Sequence, residues 1–407
     1  MAGRSLYFVI GVLGIAVLIA AAYMLAGQGA EQQTATTSTV TAAAPQSSTH
    51  GAATQTPPAA TGTEKPGPSE LVVYVYGDFM AWGEDERLFD KLVENFTRET
   101  GIRVKLRKFD DARVMVTTAI AEAKAGKPTA HVIIGVDQVT LRELEKAGLV
   151  ECYLSSLADK KLAEILDTRG CATPIDYGLI TLVYDPGRLN QTVTDMLRDG
   201  VTLEELEKLA PLIVGEDPTR STPGLNFLLY TIALSEKQGI DWRQLWRTML
   251  QRGFMVAKSW GDAYDEFLRE GSKHPIVVSY GTDPAYSAWY NMKQGKPMEP
   301  DMGAAVLALD SKKVGWLQVE GAAILRGAPT GEARRFIDWL LSPEVQSRIP
   351  SSQWMLPANP EVELPPYYKY ALTVKDVDVL ANDWLPADRV AENLENWLHE
   401  WLQLAQG

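Results

Sequence analysis

The chain has 407 residues, with 39 Lys and Arg against 52 Asp and Glu and a formal net charge of −13. No Lys/Arg-rich block offsets that balance, which excludes nucleic-acid binding by phosphate neutralisation. A composition 46% hydrophobic and 22% charged excludes disorder throughout, and four histidines with two cysteines are too few and scattered for a CxxC-type zinc site or a disulfide-built scaffold.

Residues 6–26 run without a charge (LYFVIGVLGIAVLIAAAYMLA), long enough for a membrane-spanning helix. Arg4 ahead of it favours a cytoplasmic N-terminus and an exported body. A signal peptide is the rival reading, although its apolar core is usually shorter, so an anchor over 1–26 is expected. Residues 27–69 contain no aromatic and are rich in Ser, Thr, Ala and Pro. They cannot bury enough apolar surface to offset their ordering entropy and read as a polar, disordered stalk.

The body begins at Glu70. A β-rich run over 71–79 precedes a helical pattern over 84–101, ended by Gly101. Residues 102–109 alternate at period two, 112–126 read as helix and 130–136 as a buried strand. Further strands are expected over 179–185, 274–280 and 314–325, and helices over 330–341, 343–349 and 388–405. This alternation predicts an α/β domain over 70–407 with a mainly parallel sheet. Ligands of open α/β sheets bind beyond the carboxyl ends of the strands.

At those ends lie Tyr76, Asp78, Phe79 and Trp82, then Asp110 and Asp111, then Asp137, and the segment from Tyr280 to Tyr286. Trp260 and Tyr264 lie in KSWGDAY, and Trp354 in SSQWMLP. Aromatic faces beside carboxylates suit an organic cation, at about 0.5–2 kcal/mol per aromatic contact; filling space is the commonest duty of such rings. Thr222 followed by Pro223 reads as an N-cap with proline opening a helix. With Ser221 it offers an anion or hydroxyl site that Arg220 would strengthen. There is no G-x-S-x-G elbow, HExxH, P-loop or GxGxxG, and no metal site is expected. Export would let Cys152 and Cys171 pair; inert thiols and a free nucleophile are the other readings.

The segments DPTRSTPGLNFLLY (217–230), KSWGDAYDEFL (258–268), VVSYGTDPAY (277–286), PIDYGLITLVYD (174–185) and IPSSQWMLP (349–357) resemble the thiamine-binding proteins of ABC importers. The similarity runs from about Leu71 to Leu404. It implies a two-lobed, type II periplasmic-binding-protein fold, with lobe one over about 70–178 and 313–345 and lobe two over about 179–312 and 346–407. It also implies delivery of thiamine or its phosphates to a membrane permease on the extracytoplasmic side, without catalysis, and a cleft that must close argues for a monomer. The ligand residues it implies are Tyr76, Asp111, Ala112, Ser221, Thr222, Trp260, Tyr280, Gly281, Thr282, Asp283, Pro284, Tyr286 and Trp354. The sequence departs from the family at Gly281 (Thr), Asp283 (Ser), Ala112 (Gly) and Thr219-Arg220 (Arg-Thr), which leaves the preference for phosphate esters open. Three alternatives stand beside this reading. Ferric iron would use Tyr367-Tyr368, a polyamine would use Asp78, Asp111 and Asp283, and a thiamine-cleaving enzyme would use Cys171.

Overall fold

The computed structural model describes residues 70–406 apart from 168 and 380. The expected anchor over 1–26 and stalk over 27–69 lie outside the described residues. Among the described residues, no helix is long and apolar enough to cross a membrane.

The domain is organised around one mixed sheet. Its principal strands are β1 (Glu70–Tyr76), β2 (Arg103–Phe109), β3 (Val132–Val136), β4 (Thr173–Tyr184), β5 (Ile213–Glu216), β6 (Met255–Ala257), β7 (Ile276–Tyr280) and β8 (Trp316–Leu325). They lie in the order β2-β1-β3-β8-β4-β7-β5-β6. Pairing is parallel at both ends, between β1 and its neighbours β2 and β3, and between β5 and its neighbours β6 and β7. The long central strands β4 and β8 run antiparallel to each other and to β7 and β3 respectively. The expected mainly parallel arrangement therefore holds in each flank and gives way at the centre.

The helices that carry the site are α1 (Leu88–Thr100), α2 (Ala112–Lys124), α3 (Thr222–Gln238), α4 (Trp260–Leu268) and α5 (Asp283–Lys293). Helix α1 stops at Gly101, whose φ of 73° closes it in the left-handed region. Ser259 caps α4, its hydroxyl accepting from the Asp262 amide at 3.2 Å. Helix α3 is buried over nearly its whole length, so its apolar sequence reflects a position inside the fold rather than a surface stripe.

Two large apolar cores flank the central strand pair. One gathers residues from Leu71 to Leu179 and from Leu317 to Ala358, including Phe89, Phe96 and Phe336. The other gathers residues from Ile180 to Trp316 and from Ala381 to Trp401, together with Val139. The change from one core to the other falls within both strands, between 179 and 180 in β4 and between 316 and 317 in β8. Ile349, Met355 and Ala358 pack in the first core.

Candidate ligand-binding cleft

The carboxyl ends of β1, β2 and β7 and the N-termini of α3, α4 and α5 converge on one cleft. Of the residues expected from sequence, Tyr76, Asp111, Ala112, Thr222 and Trp260 line it, as do Tyr280, Asp283, Tyr286 and Trp354. Ser221, Gly281, Thr282 and Pro284 are buried and are not among the lining residues. Gly281 has a structural duty. Its amide donates to the Leu179 carbonyl, its carbonyl accepts from the Leu372 amide at 2.7 Å, and a Cβ there would collide with the Leu372 carbonyl.

The aromatic wall is braced side chain by side chain. The Trp260 ring stacks on Tyr264 at 4.9 Å between centroids, and its indole N–H donates to Ser279 Oγ at 3.0 Å. Trp82 meets Trp260 edge-on at 5.1 Å. Tyr286 packs against Trp354 at 5.1 Å, and the Trp354 indole donates to the Trp82 carbonyl at 2.9 Å. Trp354 takes a left-handed φ of 59° where it closes the helical turn Ile349–Gln353, a conformation costing a non-glycine residue about 1–3 kcal/mol. Tyr76 is fixed from two sides, donating to Glu320 Oε2 at 2.7 Å and accepting from the Gln353 amide. Gly135, at φ 97°, gives its ring room: a Cβ there would lie 2.5 Å from it.

Five carboxylates line the cleft, from Asp78, Asp110, Asp111, Asp283 and Glu320, and among the described lining residues there is no Lys, Arg or His. Burial pushes Asp283 up to about 7. It pushes Asp111 up to about 6 against the pull of the Arg113 and Thr222 amides. Glu320 is also raised, mainly by burial. It stands in register with Asp176 on β4, at a bulge between Glu320 and Gly321 that re-aims the strand. Asp176 is fully buried, neither of its oxygens has a hydrogen-bond partner, and burial with the nearby Glu320 charge holds its carboxyl well above the usual range. A site rich in desolvated carboxylates and aromatic faces, with no basic lining residue, favours a cation.

The expected N-cap shifts by one residue. Helix α3 begins at Thr222, Ser221 occupies the cap position, and Ser221 makes no capping hydrogen bond. Asp111 supplies the cap instead, from across the cleft: its Oδ1 accepts from the Thr222 amide at 3.3 Å and from the Arg113 amide at 3.0 Å. Arg113 follows the same route, donating from Nε to the Thr219 carbonyl at 3.2 Å. Arg220, expected to strengthen an anion site here, is exposed and outside the lining.

Sequence reasoning left Glu320, Gln353, Met355, Ser259 and Gly261 unassigned and read Pro223 only as opening a helix. Glu320 was detectable as a lone charge inside the apolar run of β8; Gln353 and Met355 carry no such signal. Trp82, Asp110 and Tyr264, noted in the sequence but not among the implied ligand residues, also reach the lining, as does Asp78, expected only for a polyamine. Tyr367 and Tyr368 are buried beside Trp354 rather than in the lining, with the Tyr368 hydroxyl donating to the Met355 carbonyl at 3.0 Å. Cys171 is disulfide-bonded to Cys152 and does not line the cleft, so its thiol is not a free nucleophile.

Residues 91–376 match the family described as bacterial extracellular solute-binding protein. The chain is 29% identical over 338 residues to a thiamine-binding periplasmic protein of Escherichia coli, covering 81% of this chain and 92% of that one. It is 27% identical to a protein of the same name from Brucella abortus, covering 82% and 91%. Among solved structures, a periplasmic thiamin binding protein superposes with a TM-score of 0.65 at 26% identity, covering 83% of this chain and 96% of that one. A ferric binding protein from Campylobacter jejuni superposes with a TM-score of 0.62 at 17% identity, over 82% and 99%. The last likeness speaks to the fold alone.

Proposed function

Because the chain belongs to the bacterial extracellular solute-binding protein family, we propose that it captures thiamine outside the cytoplasm and delivers it to the permease of an ABC importer. One observation carries the reading: an aromatic cleft with five lining carboxylates and no basic residue among the described lining. Thiamine offers a flat, permanently charged thiazolium, which aromatic faces attract and ionised carboxylates balance. Relatives named for thiamine, spanning most of this chain, support the same ligand.

Capture proceeds by closure of two lobes, one built on each core, about hinges in β4 and β8. Trp260, Tyr264 and Tyr286 on one side and Tyr76 and Trp82 on the other enclose the ring, and Asp111, Asp283 and Glu320 supply the countercharge. The protein acts as a monomer and performs no chemistry on its ligand. The apolar run over 6–26 tethers it to the membrane through the polar stretch over 27–69, with cleavage as a signal peptide the rival outcome. The buried placement of Tyr367 and Tyr368 speaks against iron capture through that pair.

The test is calorimetric titration of the purified chain with thiamine, ferric citrate and spermidine. One-site, sub-micromolar thiamine binding with quenching of tryptophan fluorescence is expected. Heat from spermidine or iron alone would reassign the cleft to that ligand.

A further inference from the structure

We infer that the chain carries an N-linked glycan on Asn190, at an exposed turn outside the ligand cleft. The inference rests on the export reading above and is independent of which ligand the cleft takes. Two asparagines stand two residues before a threonine, in Asn95-Phe96-Thr97 and Asn190-Gln191-Thr192. This spacing sets a carboxamide beside a hydroxyl, the pair that a glycan transferase reads, and the context it requires is an accessible surface of an exported chain.

The fold separates the two sites. Asn95 lies inside α1 and is half-buried, its Oδ1 accepting from Arg98 Nη2 at 2.7 Å. Its neighbour Phe96 is a core residue, with ring centroids 5.3 Å from Phe336 and 4.9 Å from Trp339. Lifting that tripeptide into a transferase would pull Phe96 from the core and unwind α1. Asn190 is placed differently. It lies between the exposed turn Pro186–Arg188 and the helix Gln191–Asp199, and Asn190, Gln191 and Thr192 are all exposed. Leu189 and Leu197 anchor the segment to the second core, and no residue from 185 to 199 lines the cleft.

The Asn190 side chain divides its duties in a way that suits modification. Its Oδ1 caps the following helix, accepting from the Val193 amide at 3.0 Å. Its Nδ2 has no hydrogen-bond partner among the described residues. Glycan transfer uses only that nitrogen. Nδ2 attacks the anomeric carbon of a glycan carried on a lipid phosphate, a C–N bond forms, and the C–O bond to the phosphate breaks. The lipid phosphate leaves with that electron pair, and the displaced amide proton passes to the transferase. The product is still a carboxamide, so Oδ1 keeps its acceptor capacity and the cap survives. A bulky, hydrated sugar there shields the exposed turn, the kind of segment that proteases nick first.

The experiment is glycopeptide mass spectrometry on the full chain purified from the cells that produce it, with fractionation to record on which side of the membrane it resides. The peptide carrying Asn190 should bear a glycan and the peptide carrying Asn95 should be bare. Thr192→Ala leaves Asn190 in place as the cap but removes the hydroxyl, and it should abolish the mass increment; Thr192→Ser should retain it. A merely structural Thr192 would not give that pair of results. Neither variant touches the cleft, so its titration with thiamine should match the parent. An exported chain with a bare Asn190 would overturn the inference and leave the export reading standing, as would a glycan on Asn95 in its place. A chain confined to the cytoplasm would overturn the export reading and the inference with it. The parent chain decides the matter without any variant, so a poorly folding substitution would not rescue the idea.

Discussion

Asp283 opens α5 fully enclosed, with Oδ2 unpartnered and its carboxyl held near pH 7 by burial; Asp111, across the cleft, is held near 6 for the same reason. Both are neutral in mildly acidic solution, and a bound cation is served only by their ionised forms. Thiamine affinity should therefore rise between pH 5 and 8 and level off above, by up to ~10-fold per pH unit for each proton released on binding. The stability of the free protein runs the other way. These carboxyls keep their protons in the folded chain above the unfolded value of about 4, so the folded state binds more protons through this window. Its stability contribution is present at low pH and lost as pH rises through about 6 and about 7. Titrations and melting curves at matched pH values check both slopes, and a flat affinity profile would show that neither group titrates on binding. The type of these residues was legible: aromatics and carboxylates at strand ends pointed to an organic cation. Asp111 as the cap of a helix 111 positions later was not, because a cap read from local sequence is sought among adjacent residues, and Ser221 and Thr222 were the local candidates.

Strand β4 shows why some elements escape a reading by propensity. The expected strand covered 179–185, yet pairing begins at Thr173 and runs through Pro174, Asp176 and Gly178. These residues ordinarily break strands. They are tolerated here because β8 fixes one side and the short strand Leu356–Pro357 pairs with Asp176 and Tyr177 on the other. Helices with clear apolar periodicity were easier: the expected 330–341 and 388–405 correspond to Thr330–Leu340 and Ala387–Gln406. The turn after β7 gives an element-scale prediction. Gly281 lets the backbone at Leu372 approach the strand end, and alanine would press its Cβ into the Leu372 carbonyl. Gly281→Ala should cost about 1–3 kcal/mol by thermal or denaturant unfolding, the usual range for overpacking. A variant as stable as the parent would show that the 372 segment moves aside freely. The Gly in place of the family's Thr is explained by this packing.

The Cys152–Cys171 bond joins the segment before β4 to the short strand Val150–Glu151, away from the cleft. Such a disulfide acts chiefly on the unfolded chain, where closing a loop of this size is worth about 3 kcal/mol. Replacing both cysteines by serine should lower stability by about 2–4 kcal/mol and leave thiamine affinity unchanged. A loss of binding in a variant that still folds would return the pair to a functional role. At this scale the α/β class, the position of the cleft and the density of its aromatics were legible from order and spacing. The antiparallel centre was not, since nothing in the local composition of β4 or β8 states which way its neighbour runs.

That central pair also governs how the chain comes to be folded. The first core begins with residues before Leu179 and is completed by residues from Leu317 onward, with most of the second core encoded between them. A chain made from its N-terminus therefore emerges with about two-thirds of one core unmatched until nearly four-fifths of the sequence has been synthesised. Its apolar strands must meanwhile be kept from pairing wrongly. The same interleaving keeps that core incomplete until late in synthesis, which suits a member of an extracellular protein family.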